Sequence, residues 1–207
     1  MKPFTQQTSA QHFILNSPVL NSTTKNGFTL IDLIITIVIS TTLITLAVPS
    51  FQNLTSRNRL ISANNDLITA LALARQKSIT FSKDVYLCEL LDEETCNEER
   101  PFNADWSKGW MVFIDNNLNG ELDDDDTVSY VSYHPNRPTK QEVAIVFNQR
   151  GRLRFRADGS ARSAGFYLCT PRHHKHIFLL YSGRTRHNND LDENQLEKCH
   201  EKLFSKI

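Results

Sequence analysis

The chain has 207 residues, which suits one globular domain with additional segments better than two full domains. Its 23 basic and 23 acidic residues balance, so the whole-chain charge excludes any simple assignment to an acidic or a basic partner. The charges are unevenly distributed, with a net +5 over residues 1–83, −11 over residues 84–147 and +6 over residues 148–207. This asymmetry points to the C-terminal part as the region that would meet a charged partner.

The first predicted element is a run of 19 residues rich in apolar side chains, Leu30–Val48. Its length suits a helix that crosses roughly 30 Å of hydrocarbon. A cleaved secretory signal and a plain membrane anchor are the simple alternatives. The run is too long for a signal peptide. A plain anchor does not explain Asp32, because an ionised carboxylate in the apolar layer costs about 2.5–3.5 kcal/mol and is usually kept for a partner.

The segment from Gly27 through Phe28 to Leu33 resembles the class III signal of type IV pilins and type II secretion pseudopilins. The resemblance implies that prepilin peptidase cuts after Gly27 and methylates the new terminal amine of Phe28. It also implies that Asp32, fifth in the mature chain, meets the Phe28 amine of a neighbouring subunit during assembly, although the family usually has Glu there. Pro49 stands where the family often has a proline, and a proline kinks or locally melts a helix.

This resemblance divides the chain into four segments. Residues 1–27 are expected to be a cleaved leader, and residues 28–50 the transmembrane and filament-core half of a helix that runs from about Phe28 to Thr80. Residues 51–82 have apolar side chains at three-to-four-residue spacing and are expected to form its amphipathic half. Residues 83–207 are expected to form a β-rich head. Before assembly the chain would cross the inner membrane once, with a periplasmic head, and afterwards it would lie in a pilus at the cell surface.

The predicted strands of the head are short, rich in β-branched and aromatic residues, and separated by turn formers. They are Val85–Leu90, Trp110–Ile114, Val128–Tyr133, Val143–Phe147, Arg152–Arg156, Gly165–Thr170 and Ile177–Ser182. We expect antiparallel sheets packed on the helix. The segments WSKGWMVFIDNNLNGELDDDDTV, FNQRGRLRF, GFYLC and YSGRTR resemble the GspH/FimT group of minor pilins and pseudopilins. The resemblance covers Gly27 to Arg186 and implies an α+β, type IV pilin-like fold.

All four cysteines follow the apolar run: Cys88, Cys96, Cys169 and Cys199. An even number on one side of a membrane-length segment predicts two disulfides in an oxidising compartment. Of the three possible connectivities, the pairs that are near in sequence, Cys88–Cys96 and Cys169–Cys199, are favoured. A zinc site is the alternative, with help from three histidines, His173, His174 and His176. The chain has no CxxC pair, which disfavours zinc.

The C-terminal tetrapeptide Gly183-Arg184-Thr185-Arg186 is a candidate DNA-binding motif. Glycine permits close backbone approach, and two arginines one residue apart present multi-donor guanidinium groups to a phosphodiester. The tetrapeptide is similar to the Gly-Arg-x-Arg motif implicated in DNA binding in the DNA-uptake members of the group. Arg172 and Lys175 lie nearby in sequence, together with four histidines, His173, His174, His176 and His187. The resemblance implies non-specific binding of double-stranded DNA, and the alternative is a plain surface turn.

A second basic pattern precedes it, in which Arg150, Arg152, Arg154 and Arg156 alternate. A strand there would project all four guanidinium groups to one side of a sheet, where they could grip phosphates. Arg152 and Arg154 are therefore further candidates for DNA binding. The alternative is a solvated face that meets the acidic segment between Asp84 and Glu142.

The acidic segment contains the pattern Asp115-x-Asn117-x-Asn119-Gly120, with Asp126 at the twelfth place counted from Asp115. This spacing approximates an EF-hand calcium loop. A glutamate is expected at the twelfth place of such a loop, and no second helix follows it here. An Asx-rich hairpin turn is therefore the favoured interpretation, and calcium binding is the alternative.

The sequence contains no Gly-x-Ser-x-Gly elbow, phosphate-binding loop or metalloprotease helix motif, so we predict a non-enzyme with no cofactor. The function expected from the resemblance is that of a minor type IV pilin that binds DNA through its C-terminal arginines during natural transformation. Other pilins, prepilin peptidase and the pilus assembly platform would be its protein partners. The alternatives are a minor pilin that only primes pilus assembly, and a pseudopilin of type II secretion.

Overall fold

The computed structural model describes residues 27–97, 99, 102, 104, 106–133, 143–188 and 191–204, without side-chain detail at 202–204. Residues 1–26 of the predicted leader lie outside the described residues. The chain divides into two compact units, Met1–Ile44 and Thr45–Ile207.

Helix α1, Leu30–Phe81, lies within two residues of its predicted limits and begins with a reciprocal cap. The Asp32 carboxylate accepts hydrogen bonds from the Thr29 hydroxyl at 2.7 Å and from the Thr29 amide at 3.1 Å, and the Thr29 hydroxyl accepts one from the Asp32 amide at 3.3 Å. This arrangement is a capping box, which satisfies amide groups that the first helical turn leaves without partners. In the single chain Asp32 therefore has a local role at the start of the helix.

Among the described residues, α1 is long and apolar enough to cross a membrane, and its side chains from Leu30 to Val48 are exposed. The helix continues through Pro49 without a break. Of the two effects expected of Pro49, local melting is therefore absent from the single chain, and a kink stays a prediction. A proline removes one hydrogen bond, but its fixed φ near −65° is compatible with helical geometry, so turns on both sides can maintain the helix.

In the described residues, strands β1 to β8 form two antiparallel sheets. They are β1 Val85–Glu89, β2 Gly109–Ile114, β3 Thr127–Tyr133, β4 Ala144–Phe147, β5 Leu153–Phe155, β6 Ala164–Cys169, β7 His174–Leu179 and β8 Thr185–Asn188. One sheet has the order β3-β2-β1-β5 and the other the order β4-β6-β7-β8. A short 3₁₀ helix, Trp106–Lys108, precedes β2, and helix α2, Glu193–Phe204, follows β8. The predicted fold class, α+β with antiparallel sheets, is confirmed.

The end of the chain differs from the prediction. The limits of the last predicted strand, Ile177–Ser182, are displaced by three residues, because β7 occupies His174–Leu179 and its polar first half lacks the apolar signal of a strand. Strand β8 and helix α2 were not predicted. The four residues of β8 are all polar and largely exposed, so they give no hydrophobic alternation.

The core lies between the second part of α1 and both sheets. The helix contributes buried side chains between Leu60 and Ser78. Three aromatic residues form the centre of the packing, with Trp106 at 5.0 Å from Phe147 and 5.1 Å from Phe166, and with Phe147 and Phe166 stacked at 4.6 Å between ring centroids. Edge-to-face and offset contacts of this kind stabilise beyond the area that they bury.

Two disulfides join the cysteine pairs that are near in sequence. Cys88 pairs with Cys96 at a Cα–Cα distance of 5.7 Å, and Cys169 pairs with Cys199 at 6.0 Å. The first bridge closes the segment after β1. The second ties α2 to β6, where Cys199 is buried beside Val146 and Tyr167. The predicted pairing is the one that the structure contains.

Candidate nucleic-acid interface

Gly183 and Arg184 lie in the turn between β7 and β8, and Thr185 and Arg186 are the first residues of β8. The Gly183 amide donates to the Leu180 carbonyl at 2.9 Å, and the Leu180 amide donates to the Arg184 carbonyl at 2.9 Å. Gly183 has a φ of 73°, and a Cβ atom there would lie 2.1 Å from the Gly159 carbonyl oxygen. Only glycine fits this position, because both the backbone conformation and the close approach exclude a side chain. The turn is therefore fixed against the rest of the head.

Four arginines surround this turn, and we call them the turn cluster: Arg75, Arg156, Arg184 and Arg186. Arg184 and Arg186 are exposed. The Arg75 Nε donates to the Ser182 carbonyl at 3.2 Å, and the Arg156 guanidinium lies over the Tyr181 ring, 5.8 Å from its centroid. A shallow depression of about 530 Å³ separates α1 from the turn, and Arg75, Gly183 and Arg184 line it.

The charge of the turn cluster is largely unopposed. Within the part of the chain that the structure describes, no carboxylate pairs with Arg184 or Arg186. Asp158, in the turn before Gly159, is the nearest carboxylate in sequence to Arg156, and its Oδ1 accepts a hydrogen bond from the Ser160 amide at 2.8 Å. Hydrogen bonds from the Ser160 side chain and backbone lower the pKa of Asp158, so it stays ionised in mild acid. Asp158 is thus a carboxylate whose charge acts on Arg156.

The structure does not bring every predicted C-terminal cation into the turn cluster. Arg172 lines a different depression, of about 340 Å³, together with Phe51 and Arg59 of α1. Lys175 lies near the start of β7, whereas the turn follows the end of that strand. Arg172 and Lys175 therefore belong to another part of the surface.

The histidines near Lys175 also differ from the turn cluster. His173 contacts Asn53 of α1, with 2.7 Å between Nε2 and the amide oxygen. His176 is half-buried between Tyr167 and Phe178. Burial lowers the pKa of His176, against an opposing effect of Asp192, so this ring is uncharged at neutral pH. It adds no positive charge to a DNA-binding surface there.

The alternating arginines line one cleft of about 430 Å³, to which Arg162 also contributes. Two of them, Arg152 and Arg154, contact the acidic segment between Asp84 and Glu142. The Arg154 guanidinium forms an ion pair with Asp84, and Arg152, which is almost buried, donates to the Gly120 carbonyl and lies over the Phe113 ring. Asp84 and Gly120 both belong to the acidic segment. For Arg152 and Arg154 the structure therefore favours the alternative interpretation, in which the row of arginines contacts the acidic segment instead of DNA.

The Asp/Asn pattern lies in the β2–β3 connection, residues 115–126, and forms Asx turns. The Asn119 amide donates to the Asn117 side chain at 3.1 Å, and the Glu121 amide donates to the Asn119 side chain at 2.7 Å. In the described part of the chain, no three His, Cys, Asp or Glu side chains are grouped as a metal site. Any cation here would depend on amide and backbone oxygens as well.

Sequence reasoning missed the contribution of Arg75, because this residue lies 107 positions before Ser182 in the chain. Its place within an amphipathic helix gives no sign of the turn that it contacts. Arg156 and Tyr181 were both visible in sequence, one in the alternating row and one beside the tetrapeptide. Near this contact the Ala161 amide donates a hydrogen bond to the Tyr181 carbonyl at 3.0 Å, which joins the two turns.

The long N-terminal helix, apolar in its first part and packed on antiparallel sheets in its second, is the arrangement of the type IV pilin class. The sequence profile of the family described as type II transport protein GspH matches residues 63–184, and the chain therefore belongs to this family of minor pilins and pseudopilins. Because the family consists of structural proteins, the chain is not an enzyme.

The chain is similar to a solved structure of the type IV minor pilin FimU of Pseudomonas aeruginosa strain PAO1, with 19% identity and a TM-score of 0.45 over 65% of this chain and 92% of that one. A second crystal form of the same pilin has 16% identity and a TM-score of 0.45 over 61% and 90%. No curated protein matches the chain significantly in sequence.

Proposed function

We propose that this member of the family is a minor type IV pilin that assembles into a pilus and holds double-stranded DNA non-specifically during natural transformation. The observation that supports this proposal is the turn cluster. Arg184 is exposed on the turn that Gly183 fixes, Arg186 is exposed at the start of β8, and Arg75 and Arg156 flank them. The remaining steps, processing and assembly, rest on the segment around Gly27.

In the proposed maturation, prepilin peptidase removes residues 1–27 and methylates the Phe28 amine. The apolar half of α1 then anchors the protein in the inner membrane, with its head in the periplasm, until the assembly platform inserts it among other pilins. On assembly the Asp32 carboxylate exchanges its Thr29 contacts for the Phe28 amine of a neighbour. A buried carboxylate needs such a partner, since an isolated buried charge is strongly destabilising.

In the proposed DNA contact, each guanidinium of the turn cluster binds phosphate oxygens rather than base edges. Phosphate contacts position a protein on DNA without reading its sequence. Arg184 and Arg186 are two residues apart, and in an extended chain this separates their Cα atoms by about 7 Å. One strand of DNA presents a phosphate about every 3.4 Å along the axis, so the two side chains reach different phosphates.

Among the other candidate cations, we expect Arg172 and Lys175 to contribute less, because they lie outside the turn cluster. Arg152 and Arg154 are expected to contribute least, because the Gly120 carbonyl and Asp84 already engage them.

A gel-shift experiment at low salt tests the DNA function. The full chain in non-ionic detergent is mixed with duplexes of unrelated sequence. We expect wild type to shift them equally, and Arg184→Gln/Arg186→Gln to shift them much less. Arg57→Gln/Lys108→Gln, which removes two exposed cations elsewhere, is the charge-matched control and should bind as wild type does. The proposal fails if wild type gives no shift, or if the two double variants bind equally.

The second candidate function is that of a type II secretion pseudopilin, which the description of the matching family favours directly. In that role the head would meet exported protein, and the turn cluster would be a plain surface turn. A minor pilin that only primes assembly would need no ligand either. Failure of DNA binding by a folded wild-type chain would favour these two structural roles.

A further inference from the structure

We propose that the β2–β3 connection, residues 115–126, is a calcium-binding loop. This site does not depend on the DNA function. The sequence places oxygen-bearing groups at the positions that a twelve-residue calcium loop uses: Asp115 first, Asn117 third, Asn119 fifth, the Glu121 carbonyl seventh, Asp123 ninth and Asp126 twelfth. A calcium ion takes six to eight oxygen ligands in flexible geometry, which suits this mixture of carboxylate, amide and carbonyl groups.

The backbone of the loop has the sharp turn that such a site needs. Gly120, at the sixth place, has a φ of 75°, and its amide donates to the Asp115 Oδ2 at 2.9 Å. Leu118, at the fourth place, has a φ of 63°, which is uncommon for a residue with a side chain. The backbone of the loop therefore folds around the Asp115 carboxylate.

The strongest evidence for a ligand is the other oxygen of Asp115. This residue is 1% exposed, and its Oδ1 is buried and accepts no hydrogen bond from the described residues. A buried polar atom without a partner is costly, and for a carboxylate oxygen the cost is greater. An Asx-rich turn needs only the Oδ2 contact to Gly120. It leaves Oδ1 unexplained, whereas a cation bound at the first position of the loop would satisfy it.

Three side chains further along the loop already converge. The Asn117 and Asn119 amide groups both contact the Asp123 Oδ2, at 2.9 and 2.6 Å. Both amides now direct nitrogen toward this carboxylate. Their side-chain oxygens accept hydrogen bonds from the Asn119 and Glu121 backbone amides, at 3.1 and 2.7 Å, so a bound ion would share these oxygens with the turns or replace those contacts.

The charge of the loop also favours a divalent cation. Residues 115–126 include six carboxylates, at Asp115, Glu121 and positions 123 to 126. Two cations contact the loop, but they use oxygens at the second and sixth places, which the pattern does not use as ligands: Lys83 donates to the Asn116 side chain at 2.7 Å, and Arg152 donates to the Gly120 carbonyl. At the twelfth place, the Asp126 carboxylate accepts hydrogen bonds from the Asn116 amide at 2.9 Å and the Asp123 amide at 3.2 Å, so an ion bound there would share or replace these contacts.

Calcium titration of the full chain in non-ionic detergent, by calorimetry, tests this proposal. We expect one ion per chain with a Kd of about 10⁻⁴–10⁻³ M, the range of extracellular calcium modules, and weaker binding of magnesium. Asp115→Asn keeps an acceptor for the Gly120 amide but removes the carboxylate. It should raise the Kd for calcium by about tenfold or more. Asp124→Asn is the matched control. It removes the same charge from the tenth place, which supplies no ligand, and should bind nearly as wild type does.

A third variant tests the proposal even if Asp115→Asn does not fold. Asn119→Asp adds a carboxylate at the fifth place, and calcium affinity rises with the number of charged ligands. We expect it to bind calcium more tightly and to show a larger calcium-dependent rise in Tm than wild type. The proposal is overturned if wild type shows no saturable binding up to about 10 mM calcium, if Asp115→Asn and Asp124→Asn weaken it equally, or if Asn119→Asp fails to tighten it.

Discussion

The salt dependence of DNA binding is the most quantitative prediction for the turn cluster. Each arginine that neutralises one phosphate releases counterions and adds about −0.9 to the slope of log K against log salt concentration. If Arg75, Arg156, Arg184 and Arg186 each neutralise one phosphate, the slope for wild type is about −3.6. Affinity should then fall about 150-fold between 50 and 200 mM salt.

Replacement of Arg184 and Arg186 by glutamine leaves two contacts and a slope of about −1.8, which corresponds to a loss of about 12-fold over the same range. Fluorescence anisotropy of a labelled duplex, with the full chain in non-ionic detergent, measures both slopes. Arg57→Gln/Lys108→Gln has the same net charge as the double variant and should keep the wild-type slope. Equal slopes for the two double variants would show that net charge, rather than the turn cluster, determines binding.

Three further predictions concern charge, packing and protonation. Asp158→Asn removes the carboxylate beside Arg156, so DNA binding should tighten a few-fold in the same anisotropy assay, and unchanged affinity would place DNA elsewhere. Phe147→Ala removes a fully buried ring from the Trp106–Phe166 cluster and should lower the unfolding free energy by about 3–5 kcal/mol, whereas the part-exposed Phe178→Ala should cost far less. Burial lowers the pKa of His176, so stability is present above the ordinary histidine pKa of about 6.5 and is lost as pH falls below it, because the unfolded chain binds the proton first. Denaturant titrations at several pH values should show a shallower acid loss for His176→Gln than for wild type, and an identical loss would contradict this cause.

The sequence predicted the elements that have a strong periodic signal. The limits of α1 followed from its apolar run and the amphipathic spacing after Pro49, and the buried strands β2, β4 and β6 followed from their β-branched and aromatic residues. Strand β8 gave no such signal, because an exposed edge strand needs no apolar face. Helix α2 does have a sequence signal, a capping box formed by Asp192 and Gln195. The Gln195 amide donates to the Asp192 side chain at 2.8 Å, and the Asp192 amide donates to the Gln195 side chain at 3.1 Å.

The candidate sites were predictable only where neighbours in sequence are also neighbours in space. Arg184 and Arg186 lie two residues apart where the turn passes into β8, so their spacing was sufficient. Arg172 precedes β7 and the turn follows it, so the length of the strand separates them. Arg154 lies opposite Tyr86 in the pairing of β5 with β1, which brings it to Asp84. These are tertiary contacts that residue spacing does not determine. In the acidic loop the spacing was visible, but the unpartnered Asp115 oxygen was not.

The most direct test of the account is the mass of the N-terminal peptide from the mature protein isolated from cell membranes. In the proposed function, assembly into a pilus depends on the cleavage after Gly27, and the turn cluster acts only in the assembled pilus. We predict a peptide that begins at Phe28, with one methyl group on its amine. A mature chain that begins at any other residue, or that keeps residues before Gly27, would contradict the proposal that this protein is a processed pilin.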